Sequence, residues 1–100
     1  MTASFTARYR ENRRLVLLQI LVGLTSYRSN ASNLQAGLFA LGVEASRDDV
    51  HTDLHWLRDQ GLVALEEPTK DFITVVLTAR GKDVATGQAA VPGVSRPDPT

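Results

Sequence analysis

Apolar residues recur at helical spacing along the N-terminal half of the chain. In residues 9–25, leucine and isoleucine recur at spacings of three, one and three, which predicts a largely buried central helix. Residues 1–8 have few apolar anchors and are predicted to form a loose arm. The segment "NLQAGLFALG" predicts a second helix, capped by Asn30 or Ser32 at its start and by Gly42 at its end.

A third helix is predicted to begin after Ser46. The Ser46 side chain can cap this helix, and Asp49 takes the place of the glutamate in a capping box. Gly61 is predicted to terminate it. Its buried stripe, at spacings of i, i+4 and i+7, consists of Val50, Leu54 and Leu57.

Two β-like runs follow the third helix. "LVALEE" alternates apolar and polar residues, and "FITVVLT" is rich in β-branched residues. The segment between them, Pro68 to Asp71, is predicted to be a hairpin tip. Thr78 can cap a short final helix, and the proline-rich residues 89–100 are predicted to lack regular structure.

The order of these elements predicts the fold class. Three helices, a two-stranded hairpin and a short C-terminal helix form a mostly α arrangement with a small β-hairpin (α+β), which is that of a winged helix-turn-helix. The winged-helix domain is predicted over residues 9–88, between a flexible N-terminal arm (1–8) and a proline-rich tail (89–100).

The composition of the chain excludes several kinds of chemistry. With 11 basic and 11 acidic residues the formal net charge is zero, so only a local basic patch could attract nucleic acid. There is no cysteine, which excludes disulfides, thiolate chemistry and cysteine-ligated zinc. The apolar run from Leu15 to Leu24 is interrupted and too short for a bilayer, and no small-residue cleavage site follows it. An intracellular protein that does not bind membranes is therefore expected.

Two local segments resemble parts of known winged-helix regulators. In "VHTDLHWLRDQGLVALEE", Leu57, Gly61, Leu62 and Val63 resemble the junction between recognition helix and wing. "LTARGKDVA" is similar to the segment that follows the wing in MarR-like and PadR-like proteins. Both resemblances agree with the order of helices and strands.

The chain as a whole resembles a family of small winged-helix proteins encoded by Mu-like bacteriophages and prophages. The similar segments are Asn12–Leu15, Ser46–Asp48, Asp53–Leu54, Trp56–Leu57, Val91–Val94 and Arg96–Pro97. The resemblance implies a phage protein of winged-helix fold in the cytoplasm of a bacterial host cell. No established activity comes with this family, so the resemblance carries over no mechanism.

One side of the third helix is the first candidate for DNA contact. At about 100° per residue, a sector beside the buried stripe collects basic and titratable residues. They are Arg47, His51, His55 and Arg58. Thr52 lies beyond them and can contact a thymine methyl, but Asp48 borders the same sector. In the alternative interpretation, Asp48 and Asp49 complement the positive helix N-terminus, and the arginines are solvated.

Further arginines are candidates for phosphate contact. Arg13 and Arg14 belong to an arginine-rich start of the first helix, and Arg28 precedes the second helix. Alternatively, the first helix begins as a solvated segment whose arginines pair with Glu11 and other acidic residues. The wing tip "EEPTKD" is acidic apart from Lys70, which argues against contact between the wing and DNA.

The sequence offers little for catalysis or metal binding. His51 and His55 stand at i, i+4, which permits a shared metal ion, but no third ligand is specified and no metal site is predicted. The chain has neither a glycine-rich phosphate loop nor a catalytic triad spacing, so no enzyme, catalytic residue or cofactor is expected. Trp56 packs in the core or anchors a dimer interface, and both possibilities stay open.

From these patterns we expect a phage-encoded winged-helix protein that binds double-stranded DNA. It would be a transcriptional regulator acting as a homodimer, with the first helix or the C-terminal segment as the interface. The alternative is a protein-interaction module that binds a host or phage protein and not DNA. Zero net charge, the acidic wing and the aspartates of the third helix favour this alternative.

Overall fold

A computed structural model describes residues 2–69 and 72–98, with side chains from residue 4 onward. Within these residues the chain forms four helices and a three-stranded antiparallel sheet, which confirms the α+β class. In chain order the elements are α1 (Thr2–Val22), β1 (Arg28–Asn30), α2 (Ala31–Ala40), α3 (Arg47–Asp59), β2 (Val63–Thr69), β3 (Phe72–Leu77) and α4 (Ala79–Thr86).

The sheet contains one strand that the hydrophobic pattern does not reveal. Its strand order is β1-β3-β2, and Arg28 of β1 lies opposite Val76 of β3. The amide of Leu77 also donates to the carbonyl of Tyr27, which extends this pairing. The predicted hairpin of β2 and β3 is confirmed, but the sheet has a third strand that was not predicted. β1 has only three residues and no alternation of apolar and polar positions that could identify it.

The N-terminal residues are helical rather than a loose arm. α1 starts at Thr2, so the prediction that residues 1–8 form an arm is wrong for all of them that the structure describes. The side chains of residues 4–10 are exposed, and the buried stripe begins only at Arg13. Apolar periodicity could not detect this part of the helix, because these residues pack against little else.

Leucines from three helices meet in the core. Leu17, Leu18 and Leu21 of α1 have no exposed surface, and neither do Leu34 and Leu38 of α2. Each such side chain contributes about 1.5–3 kcal/mol to folding through loss of contact with water. The predicted buried stripe of α3 is confirmed, since its three members are also fully buried: Val50, Leu54 and Leu57.

Local caps fix where the helices begin. Asn30 caps α2, and its side chain accepts a hydrogen bond from the amide of Asn33 at 2.8 Å. Ser46 and Asp49 form the predicted capping box at the start of α3. Thr78 caps α4 in the predicted way. Gly61 follows α3 with a φ of 77°, a left-handed conformation that terminates the helix. Glycine adopts this conformation without the steric cost that a Cβ atom brings.

The C-terminal residues lack regular structure but are packed on the domain. Residues 87–98 contain no helix or strand, yet the side chains of Val91 and Val94 are buried. The amide of Ser95 donates to the carbonyl of Glu11 in α1. The predicted hairpin tip, Pro68 to Asp71, lies partly outside the described residues, since β2 ends at Thr69 and β3 begins at Phe72.

Over the described residues, none of the helices is both long enough and apolar enough to cross a membrane.

The first turn of α4 packs closely against its neighbours at Gly81, so a substitution there tests the fold. A Cβ atom on Gly81 would overlap the backbone carbonyl oxygen of Leu62 and lie 2.7 Å from a methyl group of Leu77. We expect Gly81→Ala to lower the free energy of unfolding by about 2 kcal/mol or more, because backbone cannot move aside easily. Urea denaturation followed by circular dichroism measures this change.

Gly23→Ala is the matched control. A Cβ atom on Gly23 would lie 3.5 Å from the carbonyl oxygen of Ile20, an ordinary contact. Equal stability of the two variants would contradict the close packing of α4 against Leu62, the residue before β2.

Candidate nucleic-acid interface

Residues of β1, α2, α3 and β3 meet in a hollow beside the N-terminal half of α3. The hollow is lined by Asn30, Ala31, Ser32, Gln35, Arg47, Val50, His51, Phe72 and Ile73. None of these residues is acidic, and Arg47, Ser32 and Phe72 are exposed. We call this surface the α3 face.

Local hydrogen bonds hold the two helices that build the α3 face. Gln35 of α2 donates through Nε2 to the carbonyl of Ala45, 3.1 Å away, and so fixes the turn before α3. The capping box of Ser46 then sets the first turn of α3, where Arg47 is placed. Because α2 also begins at this hollow, the positive end of its helix dipole adds to the attraction for an anion.

The other predicted DNA-contacting residues of α3 lie away from this hollow. Thr52 is exposed on the side of α3 that faces α1. His55 places Nε2 3.3 Å from a carboxylate oxygen of Glu67, and its Nδ1 is 2.8 Å from the carbonyl oxygen of His51. Arg58 pairs with the adjacent Asp59 at 3.1 Å. Of the predicted sector, the structure therefore brings only Arg47 and His51 together in the α3 face.

His51 and His55 also do not converge on a metal. The contact between them runs from a ring nitrogen of His55 to the backbone of His51. Over residues 2–69 and 72–98, no group of three His, Cys, Asp or Glu side chains is placed to hold a metal ion.

Arg28 forms an ion pair with Glu66 of β2. Its Nη1 atom lies 2.9 Å from a carboxylate oxygen of Glu66, and about half of each side chain is exposed. Because β3 lies between β1 and β2, this ion pair spans the sheet. Such an exposed pair contributes about 0–1 kcal/mol and can exchange its carboxylate for a phosphate at small cost.

Arg13 and Arg14 are buried, which corrects their predicted role as phosphate contacts. Each is only 8% exposed. The Nε atom of Arg13 donates to one carboxylate oxygen of Asp53, and Nε of Arg14 lies 3.3 Å from the other. Asp53 has no exposed surface. Guanidinium groups held inside the protein in this way are not available to a DNA backbone.

Arg14 continues this buried network to the C-terminal segment. Its Nη1 atom donates to the carbonyl of Gly93 at 3.0 Å, and its guanidinium lies 3.9 Å from the centre of a Trp56 ring. A Cβ atom on Gly93 would be 2.6 Å from the Trp56 ring. Trp56 therefore packs between α1 and the C-terminal segment within one chain, the first of the two possibilities left open for it.

Asp49 supplies a second negative charge to the network. It lies 3.8 Å from Nη1 of Arg13. Burial acts to lower the pKa of Arg13, but the hydrogen bond and charge of Asp53 and the charge of Asp49 outweigh burial and raise that pKa above its usual value. The hydrogen bond from the Ser46 amide lowers the pKa of Asp49, and the charges of Arg13 and Arg10 act in the same direction.

The sequence patterns did not reveal the buried network, and of the nine described residues that line the α3 face they indicated only Arg47 and His51 as contact residues. They placed Asp53 on the outer flank of α3, whereas the structure buries it against partners about forty residues away. The available signal was that Asp53 precedes Leu54 of the buried stripe, and that Arg13 and Arg14 directly precede the apolar run of α1. Ser32, Gln35 and Phe72 gave no signal, because only the fold brings them to α3.

Two proteins are similar to most of this chain. The uncharacterized protein gp26 of Escherichia phage Mu is 46% identical over 89 residues, which are 89% of this chain and 91% of that protein. An uncharacterized protein of Haemophilus influenzae is 35% identical over 77 residues, which are 77% of this chain and 74% of that protein. No family model matches the chain, and no solved structure matches it.

Removal of Asp53 tests the buried network. Asp53→Ala leaves two buried guanidinium groups without their shared carboxylate, so we expect the free energy of unfolding to fall by about 3–5 kcal/mol. Asp59→Ala is the matched control, because Asp59 is an exposed aspartate of the same helix and its pair with Arg58 contributes about 0–1 kcal/mol. Chemical denaturation measures both variants. A loss for Asp53→Ala no greater than that for Asp59→Ala would contradict the network.

The lowered pKa of Asp49 predicts a dependence of stability on pH. A carboxyl whose pKa is lower in the folded state stabilises the protein above its unfolded pKa, near the ordinary 3.8, and this contribution is lost as pH falls through the folded pKa. Asp49→Asn should therefore be less stable than the natural protein near neutral pH, and the difference should shrink below about pH 4. Thermal melts across this range measure it, and a constant difference would be the contrary result.

Proposed function

This chain belongs to the family of the Mu phage protein gp26, and on that premise we propose that it is a phage-encoded winged-helix protein that binds double-stranded DNA. In this proposal α2 and α3 form the helix-turn-helix, α3 is the recognition helix, and β2 and β3 form the wing. The order β1-α2-α3-β2-β3 supports the proposal, as does the short turn that Gln35 holds between the two helices.

The observation that carries this proposal is the composition of the α3 face. Arg47 and His51 on the first two turns of α3, with Ser32 and Gln35 from α2, give one charged and three neutral or titratable polar side chains on a single surface. Arginine pairs well with phosphate or with a guanine edge, and serine and glutamine donate to phosphate oxygens or adenine. The described residues that line this surface include no carboxylate.

Charge elsewhere on the molecule limits how strongly DNA is held. Arg58, His55 and Arg28 each have an acidic partner, so each must exchange a carboxylate for a phosphate before it contributes. These pairs are exposed, and the exchange therefore costs little. We propose few phosphate contacts and a shallow dependence of affinity on salt, compared with strongly basic DNA-binding domains. The protein would act by occupying a site, as a transcriptional regulator does.

Substitution of the α3 face tests the proposal. Arg47→Ala combined with His51→Ala should weaken binding to a duplex by roughly tenfold or more, since one specific arginine contact contributes about 1–3 kcal/mol. Fluorescence anisotropy with labelled duplex DNA at low ionic strength measures the affinity. Arg80→Ala is the matched control, because Arg80 is an exposed arginine near the opposite end of α3 and should leave the affinity unchanged.

Absence of binding by the natural protein at low salt would overturn the DNA proposal. The alternative of a protein-interaction module would then apply, and one observation favours it. Phe39 and Leu41, at the end of α2, are 75% and 63% exposed, and no charged residue occurs between Arg28 and Glu44. An apolar surface of this kind is typical of contact with another protein.

A further inference from the structure

The N-terminal turns of α1 expose aromatic side chains next to a groove. Phe5 is 70% exposed and Tyr9 is 36% exposed, and their ring centres are 6.3 Å apart. They stand at i, i+4 and so share one side of the helix. Large exposed aromatic groups on an otherwise polar helix end are unfavourable in water unless another surface covers them.

The groove runs between α1 and α3 and has a volume of about 610 Å³. Phe5, Tyr9 and Arg10 of α1 form one wall, and Asp49 and Thr52 of α3 form the other. Its floor is the buried network of Arg13, Arg14 and Asp53, whose charged groups already bind one another. An incoming aromatic ring would therefore contact the rings of Phe5 and Tyr9 and polar groups that already have hydrogen-bond partners.

We propose that this groove and the aromatic end of α1 form the interface between two copies of this chain. The two α1 helices would lie antiparallel about a twofold axis, and Phe5 of each copy would enter the groove of the other. A twofold interface needs one surface that carries both the projecting group and its receptor. Phe5 and Tyr9 meet this requirement, because they project from the same helix that forms the wall of the groove.

Charge favours a second copy as the occupant. Arg8 and Arg10 are exposed at the aromatic end of α1, while Asp48 and Glu44 are exposed near the start of α3. Glu44 is adjacent to the groove, since its carbonyl accepts a hydrogen bond from the Tyr9 hydroxyl. Within one copy these basic and acidic side chains thus lie side by side around the groove, since Arg10 and Asp49 line its two walls. A twofold axis through the groove would set the arginines of one copy opposite the carboxylates of the other. With zero formal net charge, the two copies also do not repel each other at long range.

The proposed interface leaves the α3 face open. Asp49 and Asp53 lie on the side of α3 that faces α1, and Arg47 and His51 lie on the other side. The inference does not rest on DNA binding, because the association state is measured without DNA.

Light scattering coupled to size-exclusion chromatography, over a series of protein concentrations, tests the interface. The natural protein should move from the 10.9 kDa monomer to the dimer as its concentration rises. Phe5→Glu should raise the dissociation constant of the dimer at least roughly tenfold, because central aromatic groups dominate such interfaces. The substitution is tolerated by the fold, since the Phe5 side chain is mostly exposed in one copy.

Phe39→Glu is the matched control, because Phe39 is exposed to a similar extent on α2. It should leave the dimer intact. A natural protein that stays monomeric at all concentrations would overturn the proposal. So would a dimer that Phe39→Glu dissociates and Phe5→Glu does not, since α2 would then be the interface. Far-UV circular dichroism of each variant confirms that helix content is unchanged.

Discussion

The structure depends on one carboxylate shared by two buried arginines. Asp53 of α3 binds Arg13 and Arg14 of α1, and Arg14 in turn binds the carbonyl of Gly93. Removing three charged groups from water is costly, and the cost is offset only when hydrogen bonds and charge balance are both good. Here every buried side-chain nitrogen and oxygen among the described residues has a hydrogen-bond partner, and the nearby Asp49 supplies the second negative charge. Buried charged hydrogen bonds need precise geometry, whereas leucine packing accepts small shifts. The network therefore fixes the position of α3 relative to α1 more narrowly than leucine packing alone.

This network explains how an acidic helix can be part of a DNA-binding protein, as we propose. Four aspartates in α3 would repel a phosphate backbone if all of them faced outward. Asp53 is inside the protein, Asp49 caps the helix and pairs with Arg13, and Asp59 is occupied by Arg58. Asp48 is exposed in the first turn, where its charge complements the positive end of the helix dipole. The negative charge of the helix is thus used mostly for structure, and none of the described residues that line the α3 face is acidic.

Local features of the fold could be predicted from the sequence, and distant ones could not. The capping box of Ser46 and Asp49, the cap at Thr78 and the buried stripe of α3 depend on residues a few positions apart, so their patterns are visible in one segment. The burial of Asp53 depends on arginines about forty residues earlier in the chain. Helical periodicity predicts that a polar residue beside an apolar stripe is exposed. Its burial becomes favourable only when a distant partner satisfies its charge and hydrogen bonds. The hollow of the α3 face also depends on contacts between residues distant in sequence, since Phe72 of β3 lies beside residues of α2 and α3.

The buried ion network also makes the two sides of α3 chemically different. By drawing Arg13 and Arg14 inward, Asp53 removes positive charge from the surface beside α1 and leaves a groove whose floor is electrostatically satisfied. Such a floor suits an aromatic side chain better than a phosphate, because a phosphate would have to displace Asp53 from a buried site. On the opposite side of the helix, the described residues that line the α3 face with Arg47 include no carboxylate. One buried aspartate thus separates a surface suited to protein contact from a surface suited to an anion, although both are built on the same thirteen-residue helix.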